Sequence, residues 1–143
     1  MEHSLHILLY RAFHAQRNYL RPSLQELGLG AGQPKLLAYL AARGPCHQKQ
    51  LADYFDVDPA NISRMVDSLA RGGFVVRRTD GRRDLVDVTS RGREASTIWQ
   101  DRCRQMEAVM LQGFTAEERA AFAAYLARAY QNIHPQKRRE ASA

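Results

Sequence analysis

Apolar positions recur along most of this chain with a helical period, broken at glycine and proline, and along one stretch they give way to a hairpin pattern. Leu5, Leu8, Leu9 and Phe13 give an apolar face to a first helix from Ser4 to about Leu20. Leu27 to Gly32 reads as a loop, because its glycines do not fit a phosphate-binding fingerprint and no lysine follows at the P-loop position. Pro34 opens a second helix through Ala42, with Leu36, Leu37 and Leu40 inward and Arg43-Gly44-Pro45 as its stop. A short third helix, Gln48 to Phe55, places Leu51, Ala52 and Phe55 on one face. After a three-residue turn, Asp58-Pro59 supplies an N-cap carboxylate and a proline at the first helical position. Ile62, Met65, Val66 and Leu69 then form the apolar stripe of a fourth helix, which Gly72-Gly73 ends.

Phe74 to Arg78 and Arg82 to Val88 flank Thr79-Asp80-Gly81, and Asp-Gly between such runs is a strong hairpin signal. If Asp80-Gly81 forms the loop, counting outward pairs Thr79 with Arg82, Arg78 with Arg83 and Arg77 with Asp84. Arg78 and Arg83 are then neighbours without a carboxylate. Beyond the hairpin, Thr89 or Ser90 caps a long helix, with Ala95, Trp99, Cys103, Met106 and Met110 at helical spacing up to Gly113. Thr115-Ala116-Glu117-Glu118 is a capping box that opens a last helix, whose broad apolar stripe includes Phe122, Tyr125, Leu126, Tyr130 and Ile133 and stops before Pro135.

The polar face of the fourth helix carries the chemistry. Ala60, Asn61, Ser63, Arg64 and Asp67 are its candidate contacts with double-stranded DNA, since Asn can bond adenine and Arg guanine in the major groove. On the hairpin the candidates are Arg77, Arg78, Asp80, Arg82 and Arg83, four cations near one tip that suit phosphate or a narrow minor groove. Charge agrees: Lys and Arg number 21 against 15 Asp and Glu, a formal net charge of +6 that favours a polyanionic partner.

His47 to Ala52, Asp58 to Leu69, Gly73-Phe74-Val75 and Asp80-Gly81-Arg82 together resemble the MarR family. Gln33 to Leu37 and Val88 to Gly92 extend the resemblance over most of the chain. It implies a mainly α fold with a small β-hairpin wing, in which residues 33–89 form a winged helix-turn-helix and residues 1–32 and 90–135 a helical dimerisation region; the terminal stretch 136–143, past the last helix, reads as a frayed tail. It also implies a ligand-responsive homodimer, usually a repressor, that reads a near-palindromic operator with Arg82 as the minor-groove probe and Asp80 as its orienting partner. The wing is shorter than the family's usual one. A small aromatic or phenolic effector is expected near His14, Arg17, Tyr39 and Trp99, at the cleft the family places between reader and dimer base. The alternative is a winged-helix module that binds protein and leaves Asn61 and Arg64 as plain surface.

Other function classes find little support. No Ser/His/Asp, Cys/His or paired-carboxylate arrangement can be placed in a cleft, so no enzyme and no cofactor is expected. Cys46 and Cys103 lack metal or redox spacing and read as packing residues in a reducing cytoplasm. His3, His6 and His14 have no convergent carboxylate or thiolate, so no metal is expected. No apolar run approaches the roughly 18 residues of a membrane helix.

Overall fold

Local chemistry sets where the helices begin and end in the computed structural model, which describes residues 4–81 and 83–134, at positions 80, 83 and 84 through the backbone only. The elements are α1 (Leu5–Leu27), α2 (Gln33–Arg43), β1 (Cys46–His47), α3 (Gln48–Phe55), α4 (Pro59–Arg71), β2 (Val75–Asp80), β3 (Arg83–Val88), α5 (Ser90–Met110) and α6 (Ala116–Ile133). They fall into two compact units, one ending at Met106 and one beginning at Glu107.

In the first unit, α1 runs about two turns beyond the sequence expectation, through Pro22 to Leu27, and stops at Gly28 in the left-handed conformation. A proline inside a helix costs about 3 kcal/mol. Burial of Leu20, and of Leu24 and Leu27 against the core, offsets that cost. Leu36, Leu37 and Leu40 of α2, Leu51 of α3, Ile62, Val66 and Leu69 of α4, and Val75 and Val86 of the sheet make the centre of this core. The stripes read from periodicity are thus the buried faces of α2, α3 and α4. The face of α1 formed by Leu5, Leu9 and Phe13 is exposed.

A third strand, β1, pairs antiparallel with β3, which gives the order β1-β3-β2. A strand of two residues directly after Pro45 carries no alternation to announce it. The hairpin register also differs from the count made on Asp80-Gly81: Asp80 pairs with Arg83, Thr79 with Asp84, Arg78 with Leu85 and Arg77 with Val86. Residues 81 and 82 therefore lie between the last pair, with Gly81 at φ +63 in the first loop position. A primed turn needs a positive φ there, which glycine adopts without strain and aspartate does not. The shift of two positions keeps every side chain on its face while setting Val88 against Val75, both buried, instead of against Gly73.

Thr89 accepts at Oγ1 from the Gly92 amide and donates to the Gly73 carbonyl, so the start of α5 is tied to the end of α4. In the second unit, Thr115 and Glu118 form the reciprocal capping box, with N–H···O distances of 3.1 and 2.8 Å. α6 contains no buried residue.

Candidate nucleic-acid interface

Opposite its buried stripe, α4 turns Ala60, Asn61 and Arg64 to solvent, with Ser63 and Asp67 half-buried at the margin. Pro59 occupies the first helical position as expected. Asp58 stands at the N-cap, but its carboxylate makes no capping hydrogen bond, so the cap contributes less than the sequence suggested. Arg64 Nη2 donates to Asn61 Oδ1 one turn earlier, so the guanidinium and the amide are presented as a pair.

These two side chains border an open cleft of about 370 Å³ that the first turn of α2 completes with Gln33 and Lys35. Gln33 is held in place, its Oε1 accepting from the Gly30 amide at 2.8 Å. Lys35 is a cation that reading along the chain passed over. Its signal is a lysine in the first turn of a helix, where the macrodipole disfavours positive charge unless something else attracts it. Its ammonium lies 5.4 Å over the Phe55 ring.

On the wing, the expected pairing of Arg78 with Arg83 gives way to Arg78 opposite Leu85, and Arg77 meets Asp67 on α4 in place of the expected Asp84. Pleating sends Arg77 and Arg78 to opposite faces of the sheet, and each finds an acid. Arg78 Nη2 lies 3.1 Å from Asp87 Oδ2, a diagonal cross-strand pair in which Asp87 is mostly buried and Arg78 mostly exposed. Arg77 shares the inward face with Val75 and stands opposite Val86. Its Nη1 lies 2.7 Å from Asp67 Oδ1 on α4, and its Nη2 donates to Gln48 Oε1 on α3 at 2.8 Å. Gln48 is the second residue that sequence reasoning missed, because a pairing across 29 positions leaves no local pattern. The predicted minor-groove probe, Arg82, lies outside the described residues, as do the side chains of Asp80 and Arg83.

The four candidate effector residues show separate engagements. His14 stacks on Tyr10 at 5.7 Å between ring centroids, and Arg17 lies over the Phe13 ring. Tyr39 packs against Tyr54 and Phe55, with the Arg43 guanidinium 5.2 Å from its ring, which makes it part of an aromatic cluster between α2 and α3. Trp99 is half-buried on α5. Cys46 is buried in β1 beside β3, and burial pushes its thiol pKa up, which suits packing rather than redox chemistry. Among the described residues there is no group of three or more His, Cys, Asp or Glu placed to hold a metal, and no helix is long and apolar enough to cross a membrane.

Comparison with known proteins agrees with this geometry. The sequence profile of the MarR family matches residues 27–83. A MarR-family transcriptional regulator from Silicibacter pomeroyi is 30% identical, with 90% of this chain and 89% of that one covered at a TM-score of 0.75. An uncharacterized HTH-type transcriptional regulator of Bacillus subtilis (strain 168), YwoH, is 29% identical over 101 residues, 69% of this chain and 74% of the relative. The fold is also that of Staphylococcus aureus MepR in its complex with DNA, at a TM-score of 0.81 and 18% identity over 93% of this chain and 99% of that one. A helix pair followed by a two-stranded wing, the profile match across it and likeness along nearly the whole chain lead to one conclusion: this protein belongs to the MarR family of winged helix-turn-helix transcriptional regulators.

Proposed function

We propose that this regulator is a homodimeric, ligand-responsive repressor whose two copies of α4 read a near-palindromic operator from the cytoplasm, in major grooves roughly 34 Å apart. The outward face of α4 carries the reading. Asn61 and Arg64 stand exposed as a bonded pair while Ile62, Val66 and Leu69 anchor the opposite face in the core. Arg64 is assigned to a guanine edge and Asn61 to an adenine edge, with Ala60 and Ser63 lining the approach. The wing cations Arg78, Arg82 and Arg83 are assigned to phosphate or the minor groove, with Asp80 orienting Arg82. The DNA complex of MepR, a protein of the same fold, supports this use of the scaffold.

Residues 33–89 form the reader in this scheme, and 1–32 with 90–135 the dimerisation part. Exposed apolar side chains support a second copy: Leu5, Leu9 and Phe13 on α1, and Tyr125, Leu126, Tyr130 and Ile133 on α6. Apolar faces of that extent need cover, and a two-fold partner supplies the same faces in return. An aromatic or phenolic effector then acts by binding one spacing of the two readers better than the other, with His14, Arg17, Tyr39 and Trp99 as candidate contacts.

The test is to select bound fragments from genomic DNA and measure retardation of the recovered duplex. Substituting Asn61→Ala and Arg64→Ala together abolishes sequence-selective retardation while the dimer survives sedimentation. For about 6 to 10 neutralised phosphates, affinity falls about 10³- to 10⁵-fold between roughly 50 and 200 mM salt. Retardation that survives the double substitution, with a flat salt response, refutes direct DNA reading in favour of a protein-binding module.

A further inference from the structure

Arg77 and Asp67 lie within the proposed DNA interface with opposite charges, and each is engaged with the other. We propose that Arg77 is a positioning residue instead of a DNA contact: by joining Asp67 of α4 to Gln48 of α3 it fixes the wing against the recognition helix, and it screens the sole carboxylate of α4 from DNA phosphates. The proposal rests on the DNA reading above and names what holds its two halves in register.

Three observations carry it. First, Arg77 sits on the sheet face that packs inward, opposite the fully buried Val86, so its stem rises along the core and its guanidinium emerges where β2, α3 and α4 meet. Second, its two terminal nitrogens serve different helices, Nη1 reaching Asp67 at 2.7 Å and Nη2 reaching Gln48 at 2.8 Å. A planar guanidinium held at two points fixes direction as well as distance, which an ammonium cannot do. Third, the side chains of Arg77 and Asp67 are 34% and 45% exposed, so water screens the pair and its effect on global stability is small. Geometry is what such a bridge decides. For Arg77 to reach a phosphate it would have to leave both partners, and Asp67 would then face the DNA backbone bare.

The experiment uses the duplex recovered by genomic selection and the full chain. In the double variant Asp67→Asn with Arg77→Gln, the slope of log affinity against log salt stays at the wild-type value; a fall of about 0.9, the contribution of one phosphate contact, overturns the proposal. Arg77→Lys keeps the charge but cannot bond both helices, so affinity drops about three- to tenfold at unchanged slope. Full affinity in that variant overturns the proposal, because an ammonium would serve a phosphate equally well. Amide exchange is read in parallel, without DNA. Arg77→Gln speeds exchange in β2 and β3, and unchanged exchange there overturns the proposal even if no duplex is recovered and the DNA reading itself has failed.

Discussion

Replacing Gly92 by alanine tests how closely the start of α5 lies on the wing. A Cβ at this position would stand 2.1 Å from the Phe74 carbonyl oxygen and 2.6 Å from Val88 Cγ2. Carbon and oxygen in contact need about 3.3 Å, so the overlap with backbone is about 1.2 Å. Phe74 cannot swing aside freely, since its carbonyl accepts from the Thr89 amide at 3.0 Å. α5 must therefore lift away from the sheet. Overpacking of this kind costs about 1 to 3 kcal/mol, and a weakened hydrogen bond adds about 1 kcal/mol. Alanine returns about 1 kcal/mol through its better helix propensity. The net loss of about 1 to 3 kcal/mol corresponds to a fall in Tm of roughly 4 to 12 °C for a domain of this size. Thermal unfolding followed by circular dichroism reads it, at fixed protein concentration because the proposed dimer would make the midpoint concentration-dependent. A Tm equal to or above that of the parent would show instead that helix propensity outweighs the contact with Phe74 and Val88.

Two further outcomes follow from single sites. Burial raises the Cys46 pKa, so the thiol contributes stability that is fully present below the unfolded value of about 8.5 and lost as pH rises through its folded value. The urea midpoint of the parent should thus fall more steeply above about pH 9 than that of Cys46→Val, and parallel alkaline limbs in the two proteins would contradict the burial argument. Thr115→Ala removes one half of the box that opens α6 and costs about 1 kcal/mol locally. Because α6 has no buried residue, the loss should appear as faster amide exchange in its first turns, and protection there equal to the parent's would show that the cap is idle.

Much of the candidate site was legible along the chain because its frame is local. Proline at the first position of α4, the apolar stripe through Ile62, Val66 and Leu69, the glycine pair and the Asp-Gly tip lie within some 20 consecutive residues, and together they placed Asn61 and Arg64 on an exposed face. Lys35, Gln48 and the partners of Arg77 and Arg78 were not legible in the same way. Each acquires its role from a residue on another element, and charge along a sequence does not say which acid an arginine will meet. The register slip at Asp80-Gly81 shows the same limit at short range: turn chemistry admitted either residue at the first loop position, and burial of Val75 against Val88 favoured glycine.

Sequence was enough for the order of the helices, the ends of α2 to α4, the reader's order and the exposed face of α4, since i to i+4 hydrogen bonds, caps and a 3.6-residue period act between near neighbours. Tertiary structure alone decided that α1 continues through Pro22, that Cys46-His47 joins β3, and that Arg77 turns inward to Asp67 and Gln48. Those outcomes depend on which surfaces meet when the core closes, and burial and ion pairing across that distance depend on spatial contact, which separation along the chain does not reveal.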